Sequence, residues 1–202
     1  MNIAVDVNGI LEVSGMGYHI RSFVNSLVKI KGNNYLLYSC HSGKRKRFSP
    51  DFLNGLDNVS FKHVPFPNTI TTFLDFKVNW YFTEKILKKF KIALFYGPSG
   101  IVPPFGRIKS VVTIHHYYPV GGEFFSKNVT WKDKLFFNAT KDSILNSDAV
   151  VAISEYTRRT ILEEFAVSEN KIKVIYPGGP DPVFKRIKEC EYPFERQLPE
   201  KY

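Results

Sequence analysis

Short apolar runs rich in β-branched residues, each closed by a turn, alternate along this chain with stretches whose apolar residues recur at helical spacing. The runs include Ile3-Ala4-Val5, Tyr35 to Ser39, Val59 to Val64, Ile92 to Tyr96, Ser110 to Ile114, Ala149 to Ile153 and Lys171 to Tyr176. Runs this short and this apolar read as strands buried on both faces. Between them, Tyr18 to Ile30, Thr72 to Phe90, Trp131 to Asn146 and a segment starting at Ser154 read as amphipathic helices. Strand and helix alternating nearly throughout predict an α/β domain: a mostly parallel sheet with helices on both faces. No internal period appears, so repeat architectures are excluded.

A length of 202 residues suits one such domain and leaves little room for a second. The tail after Phe184 is polar and broken by Pro193 and Pro199, and reads as a linker. The expected division is therefore a domain over 1–184 and a linker or tail over 185–202. The net charge of +9 attracts polyanions, anionic membranes or phosphorylated substrates. Nucleic acid is not expected as a partner, because the chain carries no zinc-finger spacing, aromatic RNA-binding motif or zipper. The two cysteines, Cys40 and Cys190, fit no metal spacing and point to a reducing compartment. With no leader and no apolar stretch of spanning length, a cytoplasmic protein is expected, peripheral if it meets a membrane's inner face.

The run Ser110-Val111-Val112-Thr113-Ile114 ends in His115, His116, Tyr117 and Tyr118. In open α/β sheets, ligands bind outside the carboxyl ends of the strands. His115, held at the strand end, is thus the candidate for chemistry, and His116 reads more readily as an ordinary loop residue. At the first strand-to-helix turn stand Gly15, Met16, Gly17 and Tyr18. Small residues there allow either a tight turn or the close approach of an anion to free N–H groups. Gly15-x-Gly17 is not a full dinucleotide fingerprint. Ser154 followed by Glu155 has the pattern of an N-cap with an acidic first turn. The basic run from His41 to Arg47 is a solvated loop or a lipid head-group contact. The Lys-rich end of the 72–90 helix packs on the sheet or lies on a membrane.

Four segments, in order, resemble the amino-terminal domain of the GT-B glycosyltransferases of family 4. Ile3-Ala4-Val5-Asp6 through Ser14-Gly15-Met16-Gly17-Tyr18 is similar to its first strand and Gly-rich loop. Ser110 to His115 resembles its Thr-Ile-His-Asp segment, with His116 where the family has Asp. Asp148 to Arg158 resembles its Ala-Asp-x-Val-x-x-Val-Ser-x-x-Thr-Arg segment. Lys171 to Phe184 resembles its Lys-Ile-x-Val-Ile-x-Asn-Gly-Val-Asp segment, with Pro177-Gly178 for Asn-Gly.

The resemblance implies a Rossmann-like amino-terminal half of a GT-B fold. It implies transfer of a sugar, with retained configuration, from a nucleotide-diphosphate sugar to a glycan or lipid-linked acceptor, as in polysaccharide biosynthesis. No metal or other cofactor is expected. His115 would meet the transferred sugar. Gly15, Met16 and Gly17 would approach the donor diphosphate or the acceptor. Tyr18, Tyr117 and Tyr118 would stack on sugar rings, His116 would be a further substrate contact, and Ser154 and Arg158 would contact an acceptor phosphate. A separate carboxy-terminal domain or subunit is the expected partner, without which the chain is expected to be inactive; an anionic membrane surface is a further candidate. The alternative is a non-catalytic accessory or scaffold domain that binds sugar or phosphate. A third reading is half of a different GT-B enzyme, such as an epimerase.

Overall fold

The computed structural model describes residues 1–11, 14–41, 55–65, 83–117 and 130–178. Seven strands form one sheet: β1 (Asn2–Asp6), β2 (Asn34–His41), β3 (Val59–Pro65), β4 (Leu94–Gly97), β5 (Lys109–Ile114), β6 (Ala149–Ala152) and β7 (Ile172–Val174). Their order is β3-β2-β1-β4-β5-β6-β7, and every neighbouring pair is parallel. The order reverses between β1 and β4, the switch point at which a doubly wound sheet opens its binding crevice.

Helices α1 (Gly15–Leu27), α2 (described over 83–89), α3 (Trp131–Asn146) and α4 (Glu155–Glu164) cover the sheet. Their starts follow from local chemistry. Ser14 caps α1 by accepting from the Gly17 N–H at 3.1 Å. Thr130 and Asp133 close a reciprocal capping box on α3. Ser154 caps α4, accepting from the Thr157 N–H at 3.1 Å.

Alternation along the strands splits the core into two clusters. On one face Ala4, Leu36, Phe95, Val112, Val150 and Ala152 pack against Leu87 of α2, Ile144 of α3 and Ile161 of α4. On the other, Ile3, Val5, Tyr35, Leu37 and Tyr96 pack against Ile20 and Val24 of α1. Most strand and helix bounds fall within a few residues of those read from the sequence. α1 differs most: it starts at Gly15 rather than Tyr18, because the Ser14 cap draws the glycines into its first turn. β5 stops at Ile114, which leaves His115 just beyond the ladder. The first half of the helix expected over 72–90, the basic run at 42–47 and the tail over 185–202 lie outside the described residues.

Candidate active site

Among the described residues, the face that carries α1 is covered unevenly. α1 lies over β1 and β2, and beside it a trough of about 680 Å³ runs over β4, β5 and β6. Its floor is Leu94, Tyr96, Val111, Thr113 and Val151; one wall is α1, and the opposite rim is Ile175 to Gly178. The floor's polar atoms satisfy each other, since the Tyr96 and Thr113 hydroxyls lie 2.6 Å apart. The trough is thus mostly apolar, and its chemistry is concentrated at the carboxyl ends of the strands.

His115 stands at that end, half-buried. Its Nε2 lies 2.8 Å from the Pro98 carbonyl oxygen. A carbonyl only accepts, so Nε2 carries the hydrogen and the neutral ring offers Nδ1 as an acceptor. Burial lowers the pKa of His115; the Pro98 bond works against this, and the nearby His116 adds to it. The ring is therefore neutral near pH 7. The turn that aims Pro98 depends on Gly97, where a Cβ would lie 2.5 Å from both the Ile101 carbonyl oxygen and a Val102 methyl. Any larger residue at 97 displaces the turn and, with it, the acceptor for His115.

The sequence did not single out His19. It follows Tyr18 on α1 and meets His115 edge to face, with ring centroids 5.0 Å apart. Its other side stacks on Phe23 at 6.2 Å. Phe23 in turn packs against Tyr96 at 4.9 Å. Burial lowers the pKa of His19 as well, helped by the neighbouring His115. The only sequence signal for it was its four-residue spacing to Phe23, which any helix stripe shares.

At the start of α1, the Gly17 N–H is taken by Ser14 and the Tyr18 N–H by the Ser14 carbonyl. The N–H groups of Gly15 and Met16 have no partner among the described residues. They form the positive end of the helix dipole, and Gly15 carries no side chain to screen it. Asp6 ends β1 at the switch point. One carboxylate oxygen accepts from the Asn8 N–H at 2.8 Å, yet burial pushes its pKa up to about 6.

The expected site residues divide between the trough and its surroundings. Gly15, Tyr18 and His115 line it. Met16 packs on the α1 side of the core and Gly17 is buried. His116 is exposed. Tyr117 turns to the opposite face, edge to face with Phe165 at 4.9 Å, and burial and Glu164 raise its pKa. Ser154 is engaged in capping α4. Arg158 pairs with Glu169 at 3.1 Å and Glu155 at 3.7 Å on the outer surface. Tyr118 lies outside the described residues.

The sequence profile of Glycosyltransferase Family 4 matches residues 13–179. No curated protein matches by sequence. A solved glycosyltransferase from Rickettsia africae is 20% identical and superposes with a TM-score of 0.51 over 87% of this chain and 42% of its own. HepE of Anabaena, in complex with UDP and glucose, is 14% identical, with a TM-score of 0.51 over 88% of this chain and 44% of its own. At these identities the likeness speaks for the fold, and the chain spans less than half the length of either structure. With most of its length inside the family profile, and with the fold of the family's amino-terminal Rossmann-like half, the chain belongs to glycosyltransferase family 4.

Proposed function

We propose that this chain forms the acceptor-side half of a retaining glycosyltransferase. The donor is a nucleotide-diphosphate sugar and the acceptor a glycan or a lipid-linked glycan. The observation that carries the reading is the fixed His115: its Nε2–H is spent on Pro98, and its Nδ1 is left as an acceptor at the carboxyl end of β5. In that role it accepts a hydrogen bond from a hydroxyl of the transferred sugar and orients the ring. An imidazole kept neutral is suited to this, because a cation there would oppose positive charge developing at the anomeric carbon.

The open N–H groups of Gly15 and Met16 would offset charge on the departing diphosphate, work that needs no metal in this reading. Ser154 and Arg158, at the start of α4, would meet an acceptor phosphate only on leaving their present partners, the Thr157 N–H and the carboxylates of Glu155 and Glu169. HepE was solved with UDP and glucose, a nucleotide and a sugar of the class proposed here. A net charge of +9 suits a polyanionic or lipid-phosphate acceptor at an anionic membrane face. No described helix is long and apolar enough to cross a membrane.

Because the solved relatives are more than twice as long as their matched parts, the reading assigns the rest of the cleft to a carboxy-terminal lobe. The test is transfer of radiolabelled sugar from UDP-hexoses into lipid and polysaccharide extracts, with the chain alone and with such a lobe added. Transfer is expected only in the mixture. His115→Ala should lower it about 10- to 100-fold, the worth of one or two well-placed hydrogen bonds. Strong transfer by the chain alone, or an indifferent His115→Ala, would refute the proposal.

A further inference from the structure

We propose that His19 is a second sugar-contacting residue, acting with His115 to take two hydroxyls of one sugar ring; this rests on the glycosyltransferase reading above. Three observations converge on it. First, His19 and His115 line the same trough and touch edge to face at 5.0 Å. Second, neither ring nitrogen of His19 hydrogen-bonds a described residue, although its ring is clamped between His115 and Phe23. An imidazole on the trough wall with both nitrogens unspent on protein can offer them to a ligand in the trough. Third, the only donor of the neutral His115 ring is already committed to Pro98.

The two rings are therefore complementary. His115 brings one acceptor; neutral His19 brings one donor and one acceptor. A hydroxyl both gives and takes a hydrogen bond, so a pair of neighbouring sugar hydroxyls satisfies all of these groups. A phosphate or carboxylate does not, because it supplies only acceptors and His115 Nδ1 would face it unpaired. Burial holds the two rings in the neutral state that this pairing needs, helped at His19 by His115 and at His115 by His116. The imidazole pair thus reads the sugar, while the anion is left to the start of α1.

The test is long-range proton–nitrogen NMR on the full chain with labelled histidines. Free protein should show His115 as the Nε2–H tautomer. Titration with glucose, galactose, mannose, N-acetylglucosamine and rhamnose should yield at least one sugar that moves the ring nitrogens of both His19 and His115. His63 on β3, away from the trough, should stay fixed. His19→Phe keeps the ring contacts but removes the nitrogens, and should weaken that sugar about tenfold, one hydrogen bond's worth. His19→Gln should recover part of the loss. A sugar that moves His115 alone, with His19→Phe binding it as the native chain does, overturns the role of His19 and leaves the glycosyltransferase reading standing. If UDP binds and no sugar moves either ring, the role of His19 falls while donor binding survives. If neither UDP nor any sugar binds even with the carboxy-terminal lobe added, both readings fall together.

Discussion

The two faces of the sheet are built from the same kinds of strand residue and end up doing different work. On the face under α2, α3 and α4, the residues from β1, β2, β4, β5 and β6 meet helices along their whole width, and Ile144 and Ile161 are fully buried there. On the other, among the described residues, α1 covers β1 and β2, and Leu94, Val111 and Val151 floor the trough beside it. Close packing fixes the first face and leaves it inert. The trough on the second brings His19, His115 and the start of α1 to one edge of a single space.

The sharpest way to break this contrast is to shorten one apolar side chain on each face. Ile144→Ala should cost about 2–5 kcal/mol in urea unfolding, because it leaves a cavity that the surrounding helices cannot fill. Val151→Ala, on the trough floor, should cost less than about 1 kcal/mol, since little protein is packed over it. Similar costs at the two positions would mean that the trough is closed in solution and that the faces are alike.

A change of smaller effect concerns the switch point between β1 and β4. Asp6 has a folded-state pKa of about 6 against an ordinary 3.8, because burial disfavours its charge. The folded state then holds the proton more tightly than the unfolded chain. Its contribution to stability is full below pH 3.8, falls as pH rises from there through 6, and levels off above. Asp6→Asn should remove that slope and raise stability at pH 7. Two pKa units correspond to about 3 kcal/mol, and the partial exposure of Asp6 sets the expected gain nearer 1–2 kcal/mol. Urea melts at pH 4 and pH 7 measure it; an unchanged slope would show that Asp6 is solvated in the fold.

Much of the fold was legible because its causes are local. β-branched runs ending in turns mark the strands, and Ser154 with Glu155 marks the start of α4 in the sequence itself. The place of His115 at the carboxyl end of β5 was legible for the same reason, because an apolar run has a carboxyl end. His19 was not. Its partners His115 and Phe23 come together only when α1 is laid beside β5, and no sequence spacing encodes that crossing. Tyr117 looked like His115's neighbour in function because it follows closely in the chain. Yet one backbone turn sends it to the opposite face, against Phe165. Side-chain direction just past a strand end depends on the loop path, which local pattern does not specify.

The smallest expected effect tests whether α1 is a wall of the site or only part of the core. Ser14 and Ser154 make the same cap with the same 3.1 Å geometry, so Ser14→Ala and Ser154→Ala should each cost about 1 kcal/mol. In a chain of this size that is a melting-point drop of roughly 2–4 °C for each. The consequences for the trough should differ. Loss of the Ser14 cap frees the Gly17 N–H and frays the turn that carries Gly15, Met16 and His19, so hydrogen exchange should quicken there and UDP should bind more weakly. Loss of the Ser154 cap should quicken exchange at Thr157 and leave the amides of α1 as protected as before. Were both variants to loosen α1 equally, the helix would be responding to global stability alone. The trough could not then be regarded as a site with a wall of its own.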